Sequence, residues 1–181
     1  LVEKYSLKII DVVFNKINGG SFSIIVAHKM SNYESNEIII NWMLAQEFRM
    51  GLHTPTPYRE FERKAYLHRS DLKELIGSIC KSKQKVAGYG ASTKGNVILQ
   101  FCKFSAKDLF GIAEINDDKF GKYTPGSNIP ILSEKDIKRD KPDYMLVLPW
   151  HFRENIIKKE KEYLKSGGKL IFPLPEIEIV G

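Results

Sequence analysis

From residue 85 onward, short apolar segments alternate with helical patterns. The apolar segments span residues 85–90, 109–115, 129–132, 143–148 and 169–173. They are apolar on both faces, which is typical of strands in a parallel sheet that helices cover on both sides. A single helix is expected over residues 152–165, before the last strand. This alternation limits the C-terminal part of the chain to an α/β architecture.

The first 83 residues follow a different pattern. Two apolar segments, Lys8–Phe14 and Phe22–Ala27, flank the sequence Asn18-Gly19-Gly20-Ser21, which predicts a β-hairpin. Residues 38–48 and 58–82 carry apolar side chains at helical spacing and predict two helices. A hairpin alone is only marginally stable in water, so this one needs a surface to pack against.

We therefore predict three segments. Residues 1–30 form the β-hairpin, residues 31–83 form a helical connector, and residues 84–181 form a Rossmann-like α/β domain with a mainly parallel sheet and helices on both faces. The chain begins at Leu1, inside an apolar pattern, so we expect it to come from the middle of a larger protein.

Composition and charge narrow the function classes. The net charge is +6, but the lysines are scattered among glutamates without an aromatic and basic stripe, so we expect no nucleic-acid partner. No apolar run is long enough to span a bilayer, and no signal segment opens the chain. Cys80 and Cys102 form neither a metal-binding spacing nor a disulfide framework. We expect a cytoplasmic protein with reduced thiols, no membrane contact and no metal site.

The most informative local sequence is Gly88-Tyr89-Gly90-Ala91-Ser92-Thr93-Lys94-Gly95-Asn96, between the first strand of the α/β region and a helix. Its glycines allow a sharp turn, and Ser92 or Thr93 can cap the helix. The N–H groups of such a turn point at one spot that suits a phosphate, and Lys94 adds a positive charge. The spacing meets only half of the dinucleotide fingerprint, so a tight turn without a ligand is an equal alternative.

Two further charged residues follow this turn. Glu114 ends the second strand 24 residues after Gly90, where nucleotide-binding folds place the acceptor of a ribose hydroxyl. Lys119 lies in the long loop 116–128 and is able to neutralise a phosphate. The competing interpretations are a solvated carboxylate at a strand end and a plain turn.

An aromatic pair follows the fourth strand of this region. Trp150 is able to stack on a base or sugar, and His151 to hydrogen-bond a hydroxyl or shuttle a proton. A packed corner between strand and helix is the alternative, and for His151 as a catalyst we favour that alternative.

Several motifs together resemble one family. They are Gly88–Asn96, Lys119-Phe120-Gly121 with Thr124-Pro125-Gly126, Leu148-Pro149-Trp150-His151-Phe152, Gly167-Gly168-Lys169 and Pro173-Leu174-Pro175. In this combination they are similar to the C-terminal domain of S-adenosylmethionine-dependent sugar-nucleotide C-methyltransferases. The Gly-Ala-Ser-Thr-Lys-Gly-Asn run is the most specific part, and the resemblance extends from about Leu7 to Val180.

The resemblance implies a three-part transferase of which this chain is the last part. A zinc-binding segment and a class I methyltransferase domain would precede it, and the hairpin would be a remnant of that domain's sheet. S-adenosylmethionine would bind in the preceding domain, so this chain would hold no cofactor, carry no catalytic residue and be inactive alone. It would bind a nucleoside-diphosphate keto-sugar, and a homodimer is the candidate assembly.

By strand-end position and family motif, the predicted substrate-binding residues are Gly90, Ser92, Thr93, Lys94, Gly95, Asn96, Glu114, Lys119, Trp150 and His151. An alternative from a different class is a stand-alone nucleotide- or NAD-binding Rossmann module. A non-binding domain used for subunit contact is a third reading.

Overall fold

A computed structural model of the chain describes residues 1–17 and 20–181. These residues form two units, Leu1–Arg63 and Lys64–Gly181. Asn18 and Gly19, which belong to the predicted hairpin turn, lie outside the described residues.

The first unit contains an antiparallel hairpin and a helix. Strand β1 (Leu7–Asn15) pairs antiparallel with strand β2 (Ser21–His28), as the apolar pattern predicts. Helix α1 (Glu37–Arg49) begins after Asn36, whose side chain caps its first turn. The N–H of Asn36 also donates a hydrogen bond of 2.7 Å to the Ile10 carbonyl, which fastens the start of α1 to β1.

Apolar side chains of the first unit are largely exposed. On β2, Phe22 is 60% exposed and Ile25 is 50% exposed; on α1, Ile38 is 85% exposed. A groove of about 610 Å³ with mainly apolar walls lies between the hairpin and α1. The first unit therefore presents a largely apolar surface among its described residues.

Helix α2 (Thr56–Lys81) is the longest described helix. Leu72, Ile76 and Ile79 are its buried side chains, and their spacing places them on one face. All three belong to the second unit and pack in its core. The apolar stripe predicted along this helix therefore faces the core of the second unit in the C-terminal half of α2.

The second unit is built on a six-stranded sheet. Its strands are β3 (Val86–Tyr89), β4 (Ile112–Glu114), β5 (Ile131–Ser133), β6 (Tyr144–Val147), β7 (Lys169–Phe172) and β8 (Glu178–Val180). The order across the sheet is β5-β4-β3-β6-β7-β8, and every neighbouring pair is parallel except β7 and β8. The strand order reverses between β3 and β6. The predicted α/β class with a mainly parallel sheet is confirmed.

Helices cover both faces of this sheet. They are α3 (Thr93–Phe101), α4 (Glu134–Arg139), α5 (Arg153–Lys159) and α6 (Lys161–Lys165). Leu146 of β6 packs in a buried cluster with α2 and α3, whereas Met145 and Val147 pack in a second cluster with Ile156 of α5. Successive side chains of a strand point to opposite faces, so β6 is buried on both.

Two local features differ from the sequence prediction. The single helix expected over 152–165 is divided into α5 and α6 at Glu160, whose side chain is buried and bonded to Tyr89 and Lys138. These contacts hold the Glu160 side chain inward and fix the backbone at this point, whereas the helical pattern alone predicts a continuous helix. Strand β8 was not predicted, although Glu176-Ile177-Glu178-Ile179 alternates polar and apolar residues as a strand does when one of its faces is exposed.

Candidate functional site

The glycine turn lies between β3 and α3. Gly90 follows β3 with φ of +78°, and a β-carbon there would lie 2.9 Å from the Pro149 ring, so this position requires glycine on both counts. Ser92 caps α3, because its Oγ accepts a hydrogen bond of 3.0 Å from the Gly95 N–H. A β-carbon on Gly95 would lie 2.5 Å from that of Leu148, so this glycine lets α3 approach the chain after β6.

Most N–H groups of this turn have partners within the chain. The N–H of Gly90 donates to the Ala113 carbonyl at 2.8 Å, and that of Ala91 donates to Oε2 of Glu114 at 3.1 Å. The N–H of Ser92 donates to the Gly90 carbonyl at 2.9 Å. A phosphate at the turn would therefore find fewer N–H donors than the sequence alone predicts.

Glu114 ends β4 and is 7% exposed. Its Oε1 accepts hydrogen bonds from the N–H groups of Ile115 (2.8 Å) and Asn116 (3.1 Å). Its Oε2 accepts from the Ala91 N–H and from the Lys119 ammonium, both at 3.1 Å. Burial alone raises the pKa of Glu114, but these hydrogen bonds and the Lys119 charge outweigh it and hold the pKa below its usual range. The carboxylate stays charged at neutral pH, and its capacity of about four hydrogen bonds is filled.

Lys119 connects the following loop to the glycine turn. It ends a short 3-10 helix, Asp117–Lys119, and its Nζ donates to the Ala91 carbonyl at 2.9 Å as well as to Glu114. An ammonium group has three N–H donors, of which these bonds use two. Lys119 and Glu114 together hold the strand end, the loop and Ala91 in one arrangement.

A cleft of about 290 Å³ opens beside the turn, at the carboxyl ends of β3 and β4. It lies next to the reversal of strand order, where open α/β sheets bind their ligands. Its volume is at the lower end of the range for ligand pockets. Four of the ten predicted binding residues line it: Gly90, Ser92, Glu114 and Lys119.

The other six predicted residues do not line this cleft. They are Thr93, Lys94, Gly95, Asn96, Trp150 and His151. Lys94 lies near enough to His151 for its charge to lower the pKa of the histidine, although burial is the larger cause. Lys94 of α3 and His151 after β6 therefore lie near each other, outside the lining of the cleft.

His151 is held among aromatic neighbours. Its ring centroid lies 5.9 Å from that of Trp150 and 4.3 Å from that of Phe152. Within the described part of the chain, its buried Nδ1 has no hydrogen-bond partner. With a lowered pKa, the imidazole is neutral at pH 7, and its Nδ1 is buried without a hydrogen-bond partner among the described residues.

Sequence reasoning missed the lining residues that come from α4 and α5, namely Glu134, Ile156 and Lys159. The Lys159 ammonium lies 2.5 Å from Oε1 of Glu134 and 5.5 Å from the centre of the Tyr89 ring. Ile156 and Lys159 are three residues apart on α5 and therefore share a helix face, which is the signal that could have found them. Glu134 carries no such signal, because its position depends on where α4 packs.

A buried carboxylate lies behind the cleft wall. Glu160 is 1% exposed, and it accepts hydrogen bonds from the Tyr89 hydroxyl at 3.1 Å and from the Lys138 ammonium at 2.8 Å. Burial and the neighbouring negative charges raise the pKa of Tyr89. Tyr89 therefore remains a neutral phenol whose hydroxyl is used inside the protein.

Metal and membrane features are sparse in residues 1–17 and 20–181. No group of three or more His, Cys, Asp or Glu side chains there is arranged to hold a metal ion. None of the helices in these ranges combines the length and apolar character needed to cross a membrane.

The fold and the cleft define a Rossmann-like α/β domain with a small cleft at the carboxyl edge of its sheet. Residues 16–175 match the C-methyltransferase C-terminal domain family, and the chain belongs to this family. The resemblance inferred from the motifs is thereby confirmed.

A curated relative is also a C-methyltransferase by name. The chain is 34% identical over 180 residues to the C-methyltransferase NovU of Streptomyces niveus. The alignment covers 99% of this chain and 43% of the relative, so the chain spans less than half the length of that protein.

Proposed function

We propose that this chain is the sugar-nucleotide-binding portion of an S-adenosylmethionine-dependent C-methyltransferase acting on a nucleoside-diphosphate keto-sugar. The observation that carries the proposal is the cleft at the carboxyl ends of β3 and β4, beside the glycine turn and the reversal of strand order. Membership of the C-methyltransferase family supplies the reaction class.

The proposed contacts divide between the cleft and the start of α3. In this proposal Gly90, Ser92 and Lys119 border the nucleotide from the cleft side. Thr93, Lys94, Gly95 and Asn96 reach the diphosphate from α3, and Trp150 and His151 flank the sugar. A ribose contact by Glu114 stays a prediction that would require the exchange of one of its four present hydrogen bonds.

The proposed chemistry explains why a separate binding domain is useful. A base removes the proton on the carbon beside the ketone, and the resulting enolate attacks the sulfonium methyl; a C–C bond forms while the S–CH₃ bond breaks. Holding the diphosphate and nucleoside fixes the reacting carbon relative to the methyl group, which lowers the barrier by orientation. We assign no catalytic residue to this chain.

We further propose that the first unit belongs with a preceding methyltransferase domain. Residues 1–30 would be the remnant of its sheet, residues 31–83 the connector, and residues 84–181 the binding domain. The exposed apolar side chains of β2 and α1 support this, because such a surface is stable only when covered. S-adenosylmethionine would bind in that domain, so this chain alone would be inactive. A cytoplasmic location and a homodimer complete the proposal.

Isothermal titration of the 181-residue chain tests the binding proposal. Thymidine-diphosphate hexose, NAD and S-adenosylmethionine are titrated separately, and only the sugar nucleotide is expected to bind. Binding of NAD alone would indicate a stand-alone dinucleotide module instead. No heat with any ligand would contradict the proposal.

A pair of lysine variants tests the diphosphate contact. Lys94→Ala is expected to weaken sugar-nucleotide binding by roughly ten- to a hundredfold, because a hydrogen bond to a charged group contributes about 1.5–3 kcal/mol. Lys165→Ala is the matched control, since Lys165 is an exposed residue of α6 away from the cleft lining. Equal affinity of the two variants would remove Lys94 from the site.

A further inference from the structure

We infer that the cleft beside the glycine turn binds the nucleobase of the sugar nucleotide, an uncharged flat ring, and that the diphosphate lies outside it. This inference rests on the proposed function and assigns one part of the ligand to one part of the site. It departs from the sequence argument, in which the glycine turn grips the phosphate.

The charges that line the cleft balance. Lys119 pairs with Glu114 at 3.1 Å, and Lys159 pairs with Glu134 at 2.5 Å. These two cations and two anions leave the lining without an excess of positive charge. A diphosphate carries a negative charge on each phosphate group, so entering this cleft would place it against two carboxylates without a net attraction.

Most hydrogen-bonding groups of the cleft are also engaged. The N–H groups of Gly90, Ala91 and Ser92 have partners within the chain, and the Glu114 carboxylate accepts four hydrogen bonds. Buried phosphate oxygens and sugar hydroxyls both need several hydrogen-bond partners. The two faces of a nucleobase need no hydrogen bonds, and only the carbonyl and N–H groups at its edge require partners.

The remaining lining suits such a ring. Pro149, Ile115, Ile156 and Phe152 contribute apolar surface, and Phe152 is 54% exposed, so an incoming ring can reach its face. Stacking of a base on an aromatic side chain is worth about 1–3 kcal/mol. The cleft volume of about 290 Å³ is small for a pocket that encloses a whole ligand, which fits the burial of one part only.

Methyl NMR on the 181-residue chain separates the parts of the ligand. The isoleucine methyl signals of Ile115 and Ile156 report on the cleft, and thymidine, adenosine, free hexose, inorganic pyrophosphate and thymidine-diphosphate hexose are titrated in turn. Thymidine and the sugar nucleotide are expected to shift both signals, whereas pyrophosphate and hexose leave them unchanged. Phe152→Ala is expected to weaken thymidine binding on the order of tenfold. Phe101→Ala, which alters an aromatic residue of α3 outside the lining, should leave it unchanged.

Each contrary result has a defined meaning. If pyrophosphate or free hexose shifts the two methyl signals and thymidine does not, the inference is overturned while sugar-nucleotide binding stands. If the sugar nucleotide binds and these signals stay still, the base lies elsewhere and the inference is again overturned. A response to adenosine alone would assign the cleft to an adenine cofactor. If the sugar nucleotide shifts no signal anywhere, the proposed function fails and the inference with it.

Discussion

The two units of this chain use similar apolar strands in different ways. In the second unit, all four residues of β3 and all four of β6 are buried. In the first unit, β2 has the mainly apolar sequence Ser-Phe-Ser-Ile-Ile-Val-Ala-His, yet none of its residues is buried. Within residues 1–17 and 20–63, no residue is buried.

This difference separates strand formation from core formation. Burying apolar surface contributes about 25 cal/mol per Å², and a two-stranded hairpin alone is marginally stable. The second unit has buried clusters on both faces of its sheet, so its strands are stabilised by packing. The strands of the first unit are paired through their backbones but bury much less side-chain surface. We therefore expect the first unit to be less stable than the second.

The largest expected effect is on hydrogen exchange. Amide protons of β1 and β2 should exchange at least about a hundredfold faster, after correction for intrinsic rates, than those of β3 and β6, because opening free energies follow local packing. Exchange read out by mass spectrometry at peptide resolution, at several protein concentrations, checks this. Equal protection in both units at low concentration would show that the hairpin is stabilised by contacts other than those described.

A matched pair of substitutions tests the same comparison by stability. Ile112→Ala in β4 removes a fully buried side chain and should lower the free energy of unfolding by about 2–5 kcal/mol. Ile24→Ala in β2 is the same chemical change at a residue that is 45% exposed, and it should cost below about 1 kcal/mol. Urea unfolding measures both, and similar losses would contradict the contrast.

The sequence allowed most of the elements to be predicted, because periodicity is a local property. The alternation after residue 85 predicted the parallel sheet, and the turn after Gly90 followed from glycine and capping chemistry. The division of the last long helix at Glu160 was not predictable, since it depends on contacts of that carboxylate with Tyr89 and Lys138, which are remote in sequence.

The site was only partly predictable for the same reason. Strand-end position drew attention to Glu114, and the long loop drew attention to Lys119, but neither signal predicted their bonds with each other and with Ala91. Glu134 and Lys159 enter the cleft from helices whose packing no single-sequence pattern specifies. Contacts within one turn of chain can be predicted from residue type, whereas the partner of a charged side chain across the fold cannot.

The second unit also contains buried polar contacts, and a substitution at Glu114 measures how much they contribute to stability. Glu114→Gln should lower the free energy of unfolding by about 1–3 kcal/mol, because an amide cannot accept all four hydrogen bonds and lacks the charge that pairs with Lys119. Glu162→Gln is the control, since the Glu162 side chain is 84% exposed and paired only at the surface with Lys165. A loss no greater than that of the control would show that the Glu114 contacts are energetically neutral.

The pH dependence of stability should also reveal the contribution of the Glu114 contacts. The pKa of Glu114 is lowered in the folded chain, so its contribution is present above the pKa of the unfolded state, about 4.3, and is lost as the pH falls through the folded value. Urea unfolding between pH 7 and pH 3 should therefore show a smaller decline for Glu114→Gln than for the unchanged chain. Parallel declines would mean that other carboxylates account for the acid sensitivity.

The smallest expected effect is a gain in stability at a helical glycine of the second unit. A β-carbon on Gly77 of α2 would meet no atom within 4 Å, and alanine is favoured over glycine in a helix by about 0.5–1 kcal/mol. Gly77→Ala should therefore raise the urea midpoint, whereas Gly95→Ala should lower it, because its β-carbon would lie 2.5 Å from that of Leu148. Opposite signs would show that the packing around a glycine decides whether alanine stabilises the chain. Packing differs between these two glycines, as it does between β2 and β3. A loss of stability in Gly77→Ala would mean that α2 is covered at that position by a surface outside the contacts described.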